Sequence, residues 1–222
     1  MTKTPKCLVI DTDIASSAGG VGTQNIRSKS CREFLIAVTD TNHKIVTTET
    51  IRLEWHGHQS RFTKGWLVSM VAQRRVCWID APADDELRDR LEKVDQDERE
   101  VMLRKLERFQ ELHKADQDQH EEMLGKIQYV EDELVKGQKK RDVMLKDVHL
   151  IEAALKADKI VISMDETVRR CFHEATQKIG TLKQIAWVNP CKSEEMPIQW
   201  LQDGAELERE RLLGYSRGNG ES

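Results

Sequence analysis

The stretch "CLVIDTDI", Cys7 to Ile14, places an apolar run directly before two aspartates, Asp11 and Asp13. A continuous apolar run, without alternation of polar residues, is typical of a strand covered on both faces, as in a parallel sheet. Four later runs have the same character, with the cores "IVT", "VCWI", "IVI" and "AWV", and they lie at 44–48, 74–79, 159–163 and 185–189. These runs predict a parallel sheet of about five strands.

Helical patterns separate these runs. Apolar residues recur at helical spacing over 28–39, 50–72 with a break near Gly57, 143–157 and 166–179. Alternating strands and helices indicate a three-layer α/β/α fold with a central parallel sheet. We expect this domain to comprise residues 1–82 and 141–192, followed over 193–222 by a C-terminal helix and a frayed tail from Gly214.

Residues 83–140 are too many for one crossover between the third and fourth strands. Apolar residues recur there at spacings of 3, 4 and 7, no proline interrupts them, and 84–146 holds 19 acidic and 14 basic residues. This pattern predicts a helical insertion, either one long helix or an antiparallel pair. Two interpretations remain open: a solvated insertion that packs on its own domain, or an arm for self-association or a protein partner.

Composition narrows the environment. There is no apolar run of about 18 residues, which argues against a membrane span, and the apolar run after the polar N-terminus is too short for a signal peptide. We therefore expect a cytoplasmic protein. The five cysteines form no CxxC pair, so reduced, packed thiols are favoured over a disulfide framework or a zinc site. Trp55, Trp66 and Trp78 are expected in the core.

Four acids are placed where a parallel sheet binds ligands, beyond the carboxyl ends of its strands. Asp11 ends the first strand, and Asp165 follows the fourth. Glu54 lies about one and a half turns into the helix after strand two, and Asp147 is predicted to open the helix before strand four. Clustered carboxylates repel one another unless a divalent cation such as Mg²⁺ or Mn²⁺ binds them. Such a cation activates water for phosphodiester hydrolysis.

Each acid also has a simpler explanation. Asp11 and Asp13 could end a strand in an Asx turn, and Ser163 with Glu166 fits a capping box. Asp165 could simply stabilise the N-terminus of a helix through the helix dipole. If Asp13 continues an extended strand, it shares a face with Asp11 and is a candidate for a supporting role, as is Ser163.

The segments "CLVIDTDI", "KIVTTETIRLEW", "LKDVHLIEAALKADKIVISMDETVR" and "IAWVNP" together resemble the PIN-domain nucleases in order and spacing. The resemblance covers 7–80 and 143–190. It implies strand order 3-2-1-4-5 and a metal-dependent endoribonuclease with an RNA substrate, plausible as a toxin or phage-defence effector restrained by a partner. The implied catalytic residues are Asp11, Glu54, Asp147 and Asp165, and Asp11, Asp147 and Asp165 are the implied ligands of Mg²⁺ or Mn²⁺.

The chain departs from that family in its long insertion and in Asn189, which stands where many relatives carry a further acid. Asn189 is a further candidate for a supporting role, because its side-chain carbonyl can accept a hydrogen bond or bind a metal ion, although it brings no charge. A PIN-like scaffold with little or no activity is therefore the alternative, and a haloacid-dehalogenase-type phosphatase beginning at Asp11 is a third hypothesis. The Gly-rich segment 16–23 predicts a loop beside the site. Arg27, Lys29 and Arg32 follow it and are candidates for binding RNA phosphates.

Overall fold

The computed structural model describes residues 4–115 and 120–216. The chain divides into two compact units: Met1–Asp84 with Asp147–Ser222, and Asp85–Lys146. The second unit corresponds to the predicted insertion, but it ends at Lys146 and not at residue 140. The four predicted catalytic acids all belong to the first unit.

The first unit is built on a five-stranded, all-parallel sheet in the order β3-β2-β1-β4-β5, which confirms the predicted topology. Helices flank the sheet, as expected for the three-layer α/β/α fold. The strands are β1 (Cys7–Ile10), β2 (Lys44–Thr47), β3 (Val76–Trp78), β4 (Ile160–Ile162) and β5 (Ala186–Val188).

The helices of this unit are α1 (Thr12–Ser17), α2 (Ile26–Asp40), α3 (Glu49–His58), α4 (Arg61–Ala72), the C-terminal part of α7 (His120–Leu155), α8 (Glu166–Ala175) and α9 (Pro197–Gln202). The second unit contains α5 (Asp85–Glu92), α6 (Gln96–Ala115) and the first part of α7. Short 3₁₀ turns lie at Gly180–Gln184, Ser193–Glu195 and Arg209–Arg211. None of the helices within the described ranges is both long and apolar enough to cross a membrane.

Burial explains the apolar runs of the central strands β1 and β4. The side chains of Leu8, Val9 and Ile10 are fully buried, and so are all three residues of β4. Each such side chain contributes about 1.5–3 kcal/mol by leaving water. Ile10 pairs with Ile162 across the two strands. The residues after this pair, Asp11 and Ser163, therefore emerge at the same edge of the sheet.

One local prediction at a helix end is wrong, and the structure decides between the two alternatives at another. Asp147 does not open a helix, because α7 runs without interruption from His120 to Leu155 and continues the insertion into the first unit. No proline stops it, and a single glycine within a helix costs only about 1 kcal/mol. Of the two alternatives for Asp11 and Asp13, the Asx turn is confirmed and the extended strand is not, because Asp11 caps α1 by accepting a hydrogen bond from the Asp13 N–H.

The C-terminal prediction is only partly right. The C-terminal helix expected within 193–222 spans only Pro197–Gln202, because Gly204 and Ala205 take positive φ angles of 98° and 52°. The chain then returns to the sheet edge, where the Leu213 N–H donates to the Ile185 carbonyl at 2.8 Å. Of the predicted frayed tail, residues 217–222 lie outside the described residues.

The tryptophan prediction holds for two of its three residues. Trp55 and Trp66 are buried, but the Trp78 side chain is 62% exposed. Trp78 lies on β3, the last strand at one edge of the sheet, so fewer neighbouring residues are available to cover it.

Candidate active site

The ends of β1 and β4 form the centre of the site. The Asp11 N–H donates to the Ile162 carbonyl at 2.9 Å, and the Ser163 N–H donates to the Val188 carbonyl at 3.1 Å. These bonds extend the ladder pattern by one residue and fix both backbones. The Ser163 hydroxyl then donates to Asp11 Oδ2 at 2.7 Å. Ser163 is fully buried, so the bond is shielded from water.

The carboxylate of Asp13, in the first turn of α1, also lies beside Ser163. Its Oδ2 accepts a hydrogen bond from the Met164 N–H at 2.8 Å and lies 3.4 Å from Ser163 Oγ. Its Oδ1 is buried, and no hydrogen-bond partner for it is found among the described residues. A buried carboxylate oxygen without a partner is costly, and a bound water or ion commonly satisfies such an atom.

The two aspartates disturb each other's ionisation. Burial raises the pKa of Asp11, and the Ser163 hydrogen bond only partly counteracts this effect. Burial, followed by the negative charge of Asp11, raises the pKa of Asp13 to about 7. A positive ion at this pair would favour both charged forms.

Asp165 lies beside this pair at the start of α8. Its backbone N–H donates to Ser163 Oγ at 3.1 Å, so Ser163 links it to Asp11. Its Oδ1 accepts the N–H groups of Thr167 and Val168, both at 2.9 Å. Asp165 is therefore the N-cap of α8, and the predicted capping box that begins at Ser163 is wrong. The Ser163 hydroxyl instead donates its hydrogen bond to the Asp11 carboxylate.

Asn189 holds the loops behind this turn together. Its side-chain NH₂ donates to Glu166 Oε1 at 2.9 Å, and its carbonyl oxygen accepts the Cys191 N–H at 2.9 Å. Glu166 Oε2 also receives a hydrogen bond from Lys192 Nζ at 2.7 Å. The amide of Asn189 is thus engaged in positioning the turn from Met164 to Glu166.

Glu54 approaches from α3, which is anchored because Trp55 Nε1 donates to the Ile10 carbonyl at 3.2 Å. The hydroxyl of Thr12, the residue that follows Asp11 in the chain, donates to Glu54 Oε2 at 3.2 Å. The same oxygen lies 3.2 Å from Nε2 of His149, whose side chain is only 10% exposed. Glu54 thus stands between α1 and α7.

Sequence reasoning missed His149. It lies on α7 two residues after Asp147, within the motif "DVHLIEAAL" that suggested the site. Asp147 is half-buried, and the neighbouring Val148, Leu150 and Ile151 are buried. The apolar neighbours fix α7 on the sheet, so the signal for His149 was its position beside a predicted acid on a well-packed helix.

The three predicted RNA-binding cations have different surroundings. Arg27 is exposed and stands near the acids, where its charge partly offsets the raised pKa of Asp13. Lys29 forms an exposed pair with Glu33 at 3.8 Å. Arg32 donates to the Gly20 carbonyl at 2.6 Å and so fastens the loop after α1. The Gly-rich segment itself is only partly a loop, because Ser16 and Ser17 belong to α1.

The donor set suits a hard divalent cation. In the described ranges, no group of three or more His, Cys, Asp or Glu side chains is gathered closely enough to bind a metal as it stands. Mg²⁺, however, is commonly held by one or two carboxylates and keeps several waters. The Asp11–Asp13 pair, with its unpartnered buried oxygen, offers such carboxylates, and Asp165 lies one hydroxyl away.

The fold and site together define a doubly wound α/β protein with a pair of buried aspartates at the carboxyl ends of its two central strands, where the strand order reverses. A comparison with models of known protein families and with curated proteins finds no match.

Proposed function

We propose that this protein is a metal-dependent endoribonuclease that hydrolyses phosphodiester bonds in RNA. One observation carries the proposal: Asp11 and Asp13 meet over the Ser163 hydroxyl at the switch point of the sheet, with a buried carboxylate oxygen left unpartnered. The resemblance to PIN-domain nucleases, whose acids fall on the same strand ends and helices, supports this reaction.

The proposal gives each residue a task. Asp11, Asp147 and Asp165 would hold Mg²⁺ or Mn²⁺, which when bound supplies an activated water and offsets negative charge on phosphate. Ser163 orients Asp11, and Asp13 adds charge beside it.

The remaining groups would transfer a proton during hydrolysis and bind the RNA substrate. Glu54, next to His149, is placed to accept or relay a proton at Oε2. Arg27, whose charge acts on Asp13, would contact an RNA phosphate, with Lys29 and Arg32 further along α2.

The direct test is cleavage of a labelled single-stranded RNA by the purified chain with Mn²⁺ or Mg²⁺. Asp11→Asn and Asp165→Asn should each lower the rate by about 10²-fold or more. Asparagine is also a good N-cap, so Asp165→Asn keeps the start of α8. Asp80→Asn, an exposed acid purified in parallel, should cleave like the original chain.

Equal cleavage by Asp11→Asn and the original chain would reveal a contaminating nuclease and contradict the proposal. Hydrolysis of a phosphate monoester, without RNA cleavage, would favour the phosphatase hypothesis. Binding of Mn²⁺ without turnover on any RNA would favour the inactive PIN-like scaffold.

We further propose that the second unit docks a protein partner. A groove of about 780 Å³ in this unit is lined by Met102, Phe109 and Tyr129 together with Lys105 and Arg108. The Tyr129 side chain is 65% exposed. Apolar and basic residues in one groove fit an amphipathic partner segment that carries acidic residues.

The docking proposal is tested with an acidic amphipathic helical peptide titrated onto the chain by fluorescence polarisation. Lys105→Glu with Arg108→Glu should weaken binding about tenfold or more, and Lys139→Glu, an exposed lysine that does not line this groove, should not. Equal binding by both variants would contradict the assigned groove. Concentration-dependent self-association in sedimentation, lost on Tyr129→Ala, would assign the groove to a second copy instead.

The biological setting follows by analogy with the same family. A cytoplasmic toxin or phage-defence effector, restrained by a partner, is the role we propose. Induced expression of the chain should then arrest bacterial growth, and Asp11→Asn should relieve the arrest. Growth arrest that persists with Asp11→Asn would contradict a nuclease-based toxin.

A further inference from the structure

Three sulfur atoms from distant parts of the sequence meet at the turn that follows β4. Cys31 Sγ lies 3.4 Å from Met164 Sδ, Cys191 Sγ lies 3.3 Å from Met164 Sδ, and the two Sγ atoms are 3.9 Å apart. They come from α2, from the turn after β4 and from the loop after β5. Their separation along the chain hides this cluster from any search for CxxC spacing.

The triangle has nearly the dimensions of a three-coordinate metal site. An ion about 2.3 Å from each of three sulfurs holds those sulfurs about 4 Å apart. The observed distances reach that geometry if the sulfur of Met164, a flexible side chain, moves outward by about 0.8 Å. Zinc ordinarily takes four Cys, His or acidic ligands, whereas thiolates with a thioether select Cu(I).

We propose that Cys31, Cys191 and Met164 form a binding site for a monovalent soft metal ion, Cu(I). This site is separate from the Asp11–Asp13 pair, although the Met164 backbone contacts Asp13. Met164 donates its N–H to Asp13, while its sulfur faces the two cysteines.

The charges and protons of the site balance without a redox step. On binding, both thiols release a proton and Cu(I) bonds to two thiolates and the thioether, which leaves one net negative charge. The Arg27 guanidinium, whose Nε is 3.1 Å from Met164 Sδ, supplies a positive charge at this point. Because burial raises the pKa of both thiols, binding should tighten as pH rises.

The site is also accessible. Cys31 is buried, but Cys191 and Met164 are half-buried and reach the surface near the exposed Arg27. An ion can therefore enter past Met164 without unfolding of the domain.

The test is an anaerobic titration of the reduced chain with Cu(I) held by a colorimetric chelator, with X-ray absorption on the loaded protein. We expect one ion per chain and a shell of about three sulfurs. Cys191→Ser should weaken binding by about 10²-fold and Met164→Leu by about tenfold. Cys191 is not buried, so its replacement should leave the fold intact, which circular dichroism checks.

Two controls separate this site from the other cysteines. Cys171→Ser, a buried thiol on α8, should bind Cu(I) like the original chain. The pair Cys7 and Cys77, whose sulfurs lie 3.1 Å apart, is removed in a double alanine variant that should also keep the site. The proposal is overturned if Cys191→Ser competes for Cu(I) as well as the original chain does. It is equally overturned if the ion is lost from the Cys7/Cys77 variant.

Discussion

Ser163 Oγ donates a 2.7 Å hydrogen bond to Asp11 Oδ2, and this bond joins the ends of the two central strands. Ser163 Oγ also accepts a hydrogen bond from the Asp165 N–H at 3.1 Å. One buried hydroxyl therefore sets the relative positions of two predicted metal ligands. Residues that orient metal-binding carboxylates commonly affect metal affinity and rate nearly as much as the ligands do.

Ser163→Ala should lower RNA cleavage by about 10–100-fold, because Asp11 loses its orienting donor. It should also lower the free energy of unfolding by about 1–3 kcal/mol, since a buried carboxylate and a backbone N–H lose their partner. Cleavage rates and urea unfolding measure the two effects. Ser69→Ala, which removes an exposed hydroxyl on α4, is the control. Unchanged cleavage by Ser163→Ala would contradict an orienting role.

Asp13 should make the stability of the metal-free protein depend on pH. Between its ordinary value of 3.8 and about 7, the folded chain retains a proton on Asp13 that the unfolded chain has released. The free energy of unfolding therefore falls as pH rises through this window. Asp13→Asn should remove the part of this fall that Asp13 causes. Relative to the original chain, the variant should therefore gain on the order of 1–3 kcal/mol in free energy of unfolding between pH 5 and pH 8.

Urea unfolding in the presence of a chelator measures this difference, with Asp80→Asn as the exposed control. Mn²⁺ should stabilise the original chain more at pH 8 than at pH 5, because it binds the charged carboxylates. An Asp13→Asn variant with the same pH dependence as the original chain would show that Asp13 is not the buried acid responsible.

Glu54 and His149 should act as a unit, because Oε2 and Nε2 are 3.2 Å apart. Glu54→Gln and His149→Gln should each reduce cleavage by about 10²-fold, and the double variant should be little worse than either single variant. A double-mutant cycle on the cleavage rate measures this coupling. Reductions that multiply would mean that the two side chains act independently.

The second unit should be removable without loss of the first. The first unit is interrupted after Asp84 and resumes at Asp147. The Asp84 N–H donates to Glu152 Oε1 at 2.8 Å, so the chain leaves the first unit beside the part of α7 by which it re-enters that unit. Replacing 85–146 by a short Gly-Ser linker should therefore preserve cooperative unfolding and leave RNA cleavage within a few-fold.

Thermal unfolding followed by circular dichroism tests this excision. The same linker inserted between Asp84 and Asp85 of the full chain controls for the effect of the linker itself. A shortened chain that no longer unfolds cooperatively, while the control does, would show that the second unit is needed for folding of the sheet.

The sheet was predictable because its strands are continuous apolar runs, and their burial in β1 and β4 follows from that composition. The positions of Asp11 and Asp165 at the strand ends follow for the same reason. The six-residue helix α1 was not predictable, since "TDIASS" is too short for a periodic pattern and precedes two glycines. The role of Ser163 and the contact of His149 depend on long-range packing, which a local motif does not encode.

The most direct test of the central claim is anomalous diffraction from crystals of the protein soaked in Mn²⁺. We predict a peak at the ends of β1 and β4 within about 2.0–2.3 Å of an Asp11 oxygen, with Asp147 or Asp165 coordinating directly or through water. The peak should disappear in Asp11→Asn crystals. A crystal with no peak at this edge of the sheet, or with Mn²⁺ bound only elsewhere, would contradict the assignment of these acids as the metal centre of a nuclease.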